Sequence, residues 1–167
     1  AGESVEMACR RLRYAWFEEM LSVDVAVVAL GHHSADNVET FMLNLARGSG
    51  LRGLCGIPER RGRFVRPLLS VPKAMILDYL RRRGLDYIVD STNLVDDCRR
   101  NVWRNRLLPA IEAAQPGFIA GVERTIDNIS SDRRLLEALI SKELPRMVDS
   151  SGAIDMEAVS HTPEAPT

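Results

Sequence analysis

Apolar residues recur at helical spacing along most of the chain, interrupted by a few short apolar runs and by clusters of glycine. Residues 4 to 21, SVEMACRRLRYAWFEEML, place Val5, Ala8, Leu12, Ala15 and Trp16 on one side of an amphipathic helix, with Ser4 as its N-cap. Val25 to Leu30 is an unbroken apolar run that stops at Gly31 and reads as a buried parallel strand. A helix is expected next, from about Ala35 to Arg47, capped by Ser34. Its apolar face comprises Val38, Phe41, Met42 and Leu45; Asp36, Glu39, Thr40 and Arg47 fall opposite. Glycines at 48, 50, 53, 56 and 62 exclude regular helix between Gly48 and Arg63. Phe64 to Leu69 predicts a short strand that Pro67 confines to an edge or an end.

A helix over Val71 to Arg83 follows, capped by Ser70 and stopped by Gly84, with Met75, Ile76, Tyr79 and Leu80 inward. Leu85 to Val89 reads as a strand or extended piece, and Asp90-Ser91-Thr92-Asn93 as a turn. From about Asp97 the pattern is helical again, with Val102, Trp103, Leu107, Leu108 and Ile111 apolar, and it ends before Pro116. A last long helix, Phe118 to Leu144, carries Ile119, Val122, Ile126, Ile129, Leu136 and Ile140 and is stopped by Pro145. The tail beyond Ser150 is polar apart from a short element at Ala153 to Val159. A helix that delivers a buried parallel strand implies an earlier strand, and a lone strand is not stable. The expectation is therefore a helix-rich α/β chain: residues 1–114 form the later part of a parallel-sheet domain, and residues 115–167 form a helical linker segment.

At 167 residues and 46% hydrophobic, the chain can bury a core. It has no apolar run long enough to span a bilayer and no signal-peptide pattern, so a soluble cytoplasmic protein with no membrane partner is the default expectation. Cys9, Cys55 and Cys98 form no CxxC, so neither a zinc ribbon nor a redox pair is indicated, and no metal ligands are assigned. The formal net charge of -1 hides an uneven distribution. Of 22 basic residues only Lys73 and Lys142 are lysines, and the arginines cluster at 10–13, 60–66, 81–83 and 99–106. Guanidinium forks suit phosphate. Arg81 to Arg83 are read as complementing a helix dipole; for the other clusters, phosphate contact and simple solvation stay equally open.

Asp36 and Glu39, one turn apart near a helix start at the carboxyl end of a strand, make an acidic spot suited to a cation. Acids favoured by the helix dipole explain the same pattern, and on spacing alone that plainer reading is slightly ahead. His32 and His33 could contact phosphate or relay a proton, or one of them could simply pack and cap the helix. Gly48-Ser49-Gly50 lacks the lysine and hydroxyl residue of a Walker loop.

Three motifs shift this balance. GHHSADNVET, RGSGLRGLCGIP and the stretch RPLLSVPKAMILDYLRRRGLDYIVDSTN with RRNVWRNRLLP resemble, in order and spacing, the catalytic domain of the tRNA(Ile)-lysidine synthetases of the PP-loop ATPase superfamily. The resemblance implies an adenine nucleotide alpha hydrolase-like fold. It also implies a ligase that uses ATP to adenylate the wobble cytidine of an isoleucine tRNA with a CAU anticodon, after which free lysine displaces AMP. It assigns Asp36, Glu39 and Arg104 to lysine, His33 and Asp36 to catalysis, and His32, Arg47, Gly48, Ser49 and Gly50 to the nucleotide. ATP, Mg²⁺, tRNA(Ile) and L-lysine are the implied cofactors and partners, and a homodimer is left open. Asp90, Asn93, Arg100 and Asn101 also match the pattern. Two departures stand out: the SGGxDS loop has no counterpart here, and Ala35 occupies a position where the family usually has a second acid. The chain alone is therefore expected to be inactive. The alternatives are a thiolase or amidotransferase-type enzyme of the same superfamily, the thiolase disfavoured by the missing cysteine pairs, and a non-catalytic tRNA-binding piece.

Overall fold

The computed structural model describes residues 5–23, 26–88, 99–146, 148 and 153–154. The tail element at 153–159 and the turn at 90–93, with Asp90 and Asn93, lie wholly or mostly outside the described residues. Helices dominate: α1 (Val5–Val23), α2 (Ser34–Leu45), the one-turn α3 (Leu51–Leu54), α4 (Lys73–Arg83), α5 (Arg99–Val102), α6 (Leu108–Ala114) and α7 (Phe118–Glu143). A π-helical turn, Trp103–Leu107, joins α5 to α6 without a break. The strands β1 (Val28–Ala29), β2 (Arg60–Arg61) and β3 (Phe64–Val65) form one small sheet in the order β1-β3-β2. β1 runs parallel to β3 with Val28 opposite Phe64, and β2 is antiparallel to it.

The core is made by helices. Val38, Phe41 and Met42 of α2 meet Leu108 of α6 and Val122 and Ile126 of α7, flanked by Leu54, Trp103, Phe118, Ile119 and Ile129. These are the inward positions expected of α2 and of the first half of α7, except that Leu45, expected on the apolar face of α2, is exposed. Farther along α7, Leu136 and Ile140 are exposed, so the apolar stripe outlasts its partner surface. The sheet is covered differently: Tyr14 and Phe17 of α1 lie against Phe64 at 5.1 and 6.2 Å between ring centres. That contact turns the helix, so Leu12 and Trp16, expected inward, are exposed while Leu21 is buried.

Other expectations need correction. β1 is two residues long and only half-buried, because its backbone is held on one side alone: Val28 N–H donates to Arg63 O at 2.9 Å and Leu30 N–H to Val65 O at 2.8 Å. The parallel pairing itself was expected. The strand begun at Phe64 ends at Val65, and residues 85–88 form no strand. The glycine-rich region contains a helical turn after all, α3, in which Gly53 N–H and Leu54 N–H both donate to Gly50 O. On α4, Met75 and Tyr79 are exposed; Ile76 and Leu80 are the half-buried pair. Gly84 caps that helix in the left-handed conformation, as its position predicts.

The π turn has a local cause. Pro109 has no N–H, and its ring would press on the carbonyl of residue 105 in a regular α-helix. Widening the preceding turn relieves that conflict without ending the helix. The α6–α7 corner is pinned by the Glu112 carboxylate, which accepts from Gly117 N–H and Ile119 N–H, both at 2.8 Å. These two bonds hold the Glu112 carboxyl below the usual carboxylate range.

The polar side of α2 anchors the loop that follows it. Asn37 Oδ1 accepts from Ile57 N–H at 2.7 Å, and Asn44 Nδ2 donates to Gly53 O at 2.9 Å. Gly56 sits between them with φ +67°, where a side chain would also run into the Asn37 carboxamide. Gly56→Ala is therefore expected to destabilise the protein by more than about 1 kcal/mol, read from urea unfolding, since backbone strain and a broken anchor act together.

Candidate active site

The parallel pairing of β1 delivers the chain to Gly31 at the carboxyl end of the sheet, and Ser34 N–H fastens the start of α2 to Val71 O at 3.1 Å. The cap of α2 is His33 rather than Ser34: its backbone N–H donates to Asp36 Oδ2 at 2.9 Å, and its Nδ1 lies 3.5 Å from the same oxygen. Asp36 thus serves the helix start with one oxygen and faces inward with the other.

Glu39 does not face solvent. At 1% exposure it is, with Val38, one of the two largest fully buried side chains among the described residues. It is accommodated by two guanidiniums. Arg104 donates from Nε to Glu39 Oε1 at 2.6 Å and from Nη2 to Oε2 at 2.9 Å, while Arg100 Nε donates to Oε2 at 2.7 Å. Both arginines also reach Asp36 Oδ1, at 3.2 Å from Arg100 Nη2 and 3.1 Å from Arg104 Nη2. Two acids three residues apart on α2 thus face two arginines four residues apart on α5 and the π turn, a charge-balanced square. Charge-assisted bidentate bonds of this kind fix orientation as well as charge. Periodicity put Glu39 on the polar face because it sees one helix at a time; α5 and the π turn lie over that face.

Two cavities flank the square. One, of about 450 Å³, lies between α2, the π turn and α6 and is lined by Glu39, Arg104, Ala35, Leu108, Glu112 and Ile119 among others. The other, of about 320 Å³, lies on the sheet side and is lined by Arg10, Arg47, Arg61, Arg66, Arg100 and His32, with no carboxylate in its wall. Arg66 is 7% exposed; its Nη1 donates to Pro58 O at 2.7 Å, and its Nε finds no partner among the described residues. His32 Nδ1 is likewise buried without one. Buried side-chain nitrogens without a partner beside a cavity that concentrates positive charge suit an anion with several oxygens. Burial, chiefly, pushes the His32 imidazole below its usual value of 6.5; Asp36 opposes this and Arg66, Arg100 and Arg10 reinforce it.

Of the residues singled out in the sequence, Asp36, Glu39 and Arg104 converge on the square, with His33 bonded to its edge. His32 and Arg47 meet in the arginine-lined cavity, whereas Gly48, Ser49 and Gly50 line neither cavity. Arg47 lies just beyond the end of α2. Ala35, at the position of the expected second acid, faces the other cavity. Arg10, Arg61, Arg66 and the double role of Arg100 were not assigned beforehand; the arginine clusters held the signal, but only the fold selects which members share a cavity. Among the described residues no group of three His, Cys, Asp or Glu could hold a metal ion. Among them, too, no helix is long and apolar enough to cross a membrane.

Two outcomes follow. Glu39→Ala should cost about 3 kcal/mol in urea unfolding, since it leaves two guanidiniums facing a half-buried site with only Asp36 between them. The folded-state pKa of His32 lies below its unfolded value, so His32 contributes stability that is present above the unfolded pKa and is lost as pH falls through the folded one. An NMR titration should give a His32 midpoint below 6.5 that moves upward when inorganic tripolyphosphate is added, because an anion favours the imidazolium.

The family model described as the PP-loop domain matches residues 1–111. The chain is 40% identical to the tRNA(Ile)-lysidine synthase of Parabacteroides distasonis over 100% of its length and 39% of that protein. It is 38% identical to the enzyme of the same name from Bacteroides thetaiotaomicron, over 97% of this chain and 38% of the relative. It is 34% identical to that of Bacillus subtilis, over 93% and 34%. The chain thus spans 39% or less of the length of these relatives.

Proposed function

The chain belongs to the PP-loop domain family, and from that premise we propose that it carries the lysine pocket and part of the nucleotide surface of a tRNA(Ile)-lysidine synthetase. The proposed reaction joins lysine to the wobble cytidine of an isoleucine tRNA. The carbonyl oxygen on C2 of the cytosine takes the adenylyl group of ATP with release of pyrophosphate, and a lysine amine then attacks that carbon, displaces AMP and loses a proton. The observation that carries the reading is the meeting of Asp36, Glu39 and Arg104, far apart in sequence, between a cavity beside Glu39 and a cavity lined with arginine.

In this reading the ammonium of lysine enters the 450 Å³ cavity and takes the place of one guanidinium beside Asp36 and Glu39. One cation replaces another, so the buried Glu39 carboxylate is never left unpaired. Arg104, which lines that cavity, turns to the lysine α-carboxylate, for which its planar fork is suited. Asp36 and His33, already bonded at the helix start, stand where a proton leaving the amine could be received. The polyphosphate of ATP fits the other cavity in charge, with His32, Arg47 and Arg66 in its wall. Positioning of the amine supplies most of the rate in such a reaction.

The product of the complete gene is expected to incorporate labelled lysine into an isoleucine tRNA, and Asp36→Ala to abolish incorporation. Undiminished incorporation by that variant would refute the assignment of the pocket. A requirement for a sulfur donor or glutamine, with none for lysine, would favour another enzyme of the superfamily.

A further inference from the structure

A third depression, about 750 Å³ in volume, runs between α7 and the loop that contains α3 and β2. Arg52, Arg60 and Arg61 stand on one wall and Arg133 and Arg134 of α7 on the other; Glu59 and Asp127 are the carboxylates in its lining. Five guanidiniums against two carboxylates leave the groove positive in a chain whose formal net charge is -1. Arg134 Nη2 donates to Ser131 Oγ at 3.0 Å, and Arg133 Nη1 to Glu137 Oε1 at 2.8 Å, so both side chains are held in place along the wall. Arg133 Nε is buried with no partner among the described residues. The groove is not isolated: Gly56, Ile57, Pro58 and Arg61 line both it and the cavity that holds His32.

We propose that this groove is a track for the phosphodiester backbone of an RNA strand, which runs as far as Arg61 at the rim of the arginine-lined cavity and leaves that cavity to the nucleotide. The inference rests on the reading of the protein as acting on tRNA. A single small anion would not span two walls of guanidiniums on separate elements, whereas successive phosphates of one strand would meet each in turn. Guanidinium forks bind phosphate oxygens in pairs, and such contacts set the register of a strand without reading its sequence. Sharing of the Gly56–Pro58 wall places the nucleotides held in the groove beside the site where one of them would react.

The test is a fluorescence-anisotropy titration of labelled tRNA with the product of the complete gene over a series of KCl concentrations. Arg133→Gln/Arg134→Gln should lower the slope of log affinity against log salt by about two, one for each phosphate contact removed. Arg52→Gln/Arg60→Gln on the opposite wall should do the same. Arg81→Gln/Arg82→Gln, which removes equal charge from α4, where Asp78 pairs with both, should leave the slope unchanged. Equal effects of all three pairs, or no effect of either groove pair, would overturn the proposal. Competition by polyglutamate or by inorganic tripolyphosphate as effective as that of unlabelled tRNA would overturn it too, in favour of an acidic peptide or a lone anion. Lysine incorporation, measured on the same variants' parent, separates the two readings. Absent incorporation with the slope difference intact removes the enzyme assignment and leaves the groove; normal incorporation with unchanged slopes removes the groove alone.

Discussion

Glu39 is a carboxylate placed where a hydrophobic side chain would ordinarily sit, and everything around it follows from the need to keep it paired. An isolated buried carboxylate costs several kcal/mol, far more than a single exposed ion pair returns. Arg100 and Arg104 meet that need from one face of a second helix, and in doing so they fix how α5 and the π turn cross α2. The ionic square also stands between the two cavities, because three of its side chains form part of their walls: Arg100 that of one, Glu39 and Arg104 that of the other. A region that is electrically balanced at rest can accept a charged guest by exchange, without first creating a void charge.

The arginine-lined cavity works on the opposite principle. Its members come from α1, the end of α2, the β2–β3 hairpin and α5, and no acid in the wall offsets them. Such an arrangement concentrates positive charge, although Arg100 is paired with Glu39 and Asp36 behind the wall, and it suits an incoming anion. Arg66 is the most buried of these arginines.

Much of the scaffold was legible from the order of residues. Most of the inward face of α2, the start of α7, the glycine stop of α4 and the strand character of the first apolar run follow from local rules of periodicity and capping, which need no knowledge of neighbours; the pairing of that strand with β3 does not. The acids at Asp36 and Glu39 were visible as candidates, but their burial was not, since it depends on α5 and the π turn lying over a face that reads as polar. Likewise Leu12 and Trp16 satisfied an amphipathic pattern that the aromatic contact with Phe64 overrides. The arginine clusters were conspicuous, yet clustering in sequence does not say which guanidiniums share a cavity; Arg10, Arg47, Arg61, Arg66 and Arg100 come together only through the tertiary arrangement.

The π turn at Trp103–Leu107 bears on how this site can tolerate changes in length. A π turn holds one residue more than the α-helical screw would, and each residue advances the screw by about 100°. Arg100 therefore meets α2 upstream of the widening, Arg104 meets it within the widened turn, and Leu108 meets the core downstream of it. Pro109 holds the extra residue in place by denying the regular alternative. The widened turn acts as a joint between two rods, and it carries a guanidinium of the square, Arg104, together with Trp103, which packs against the core.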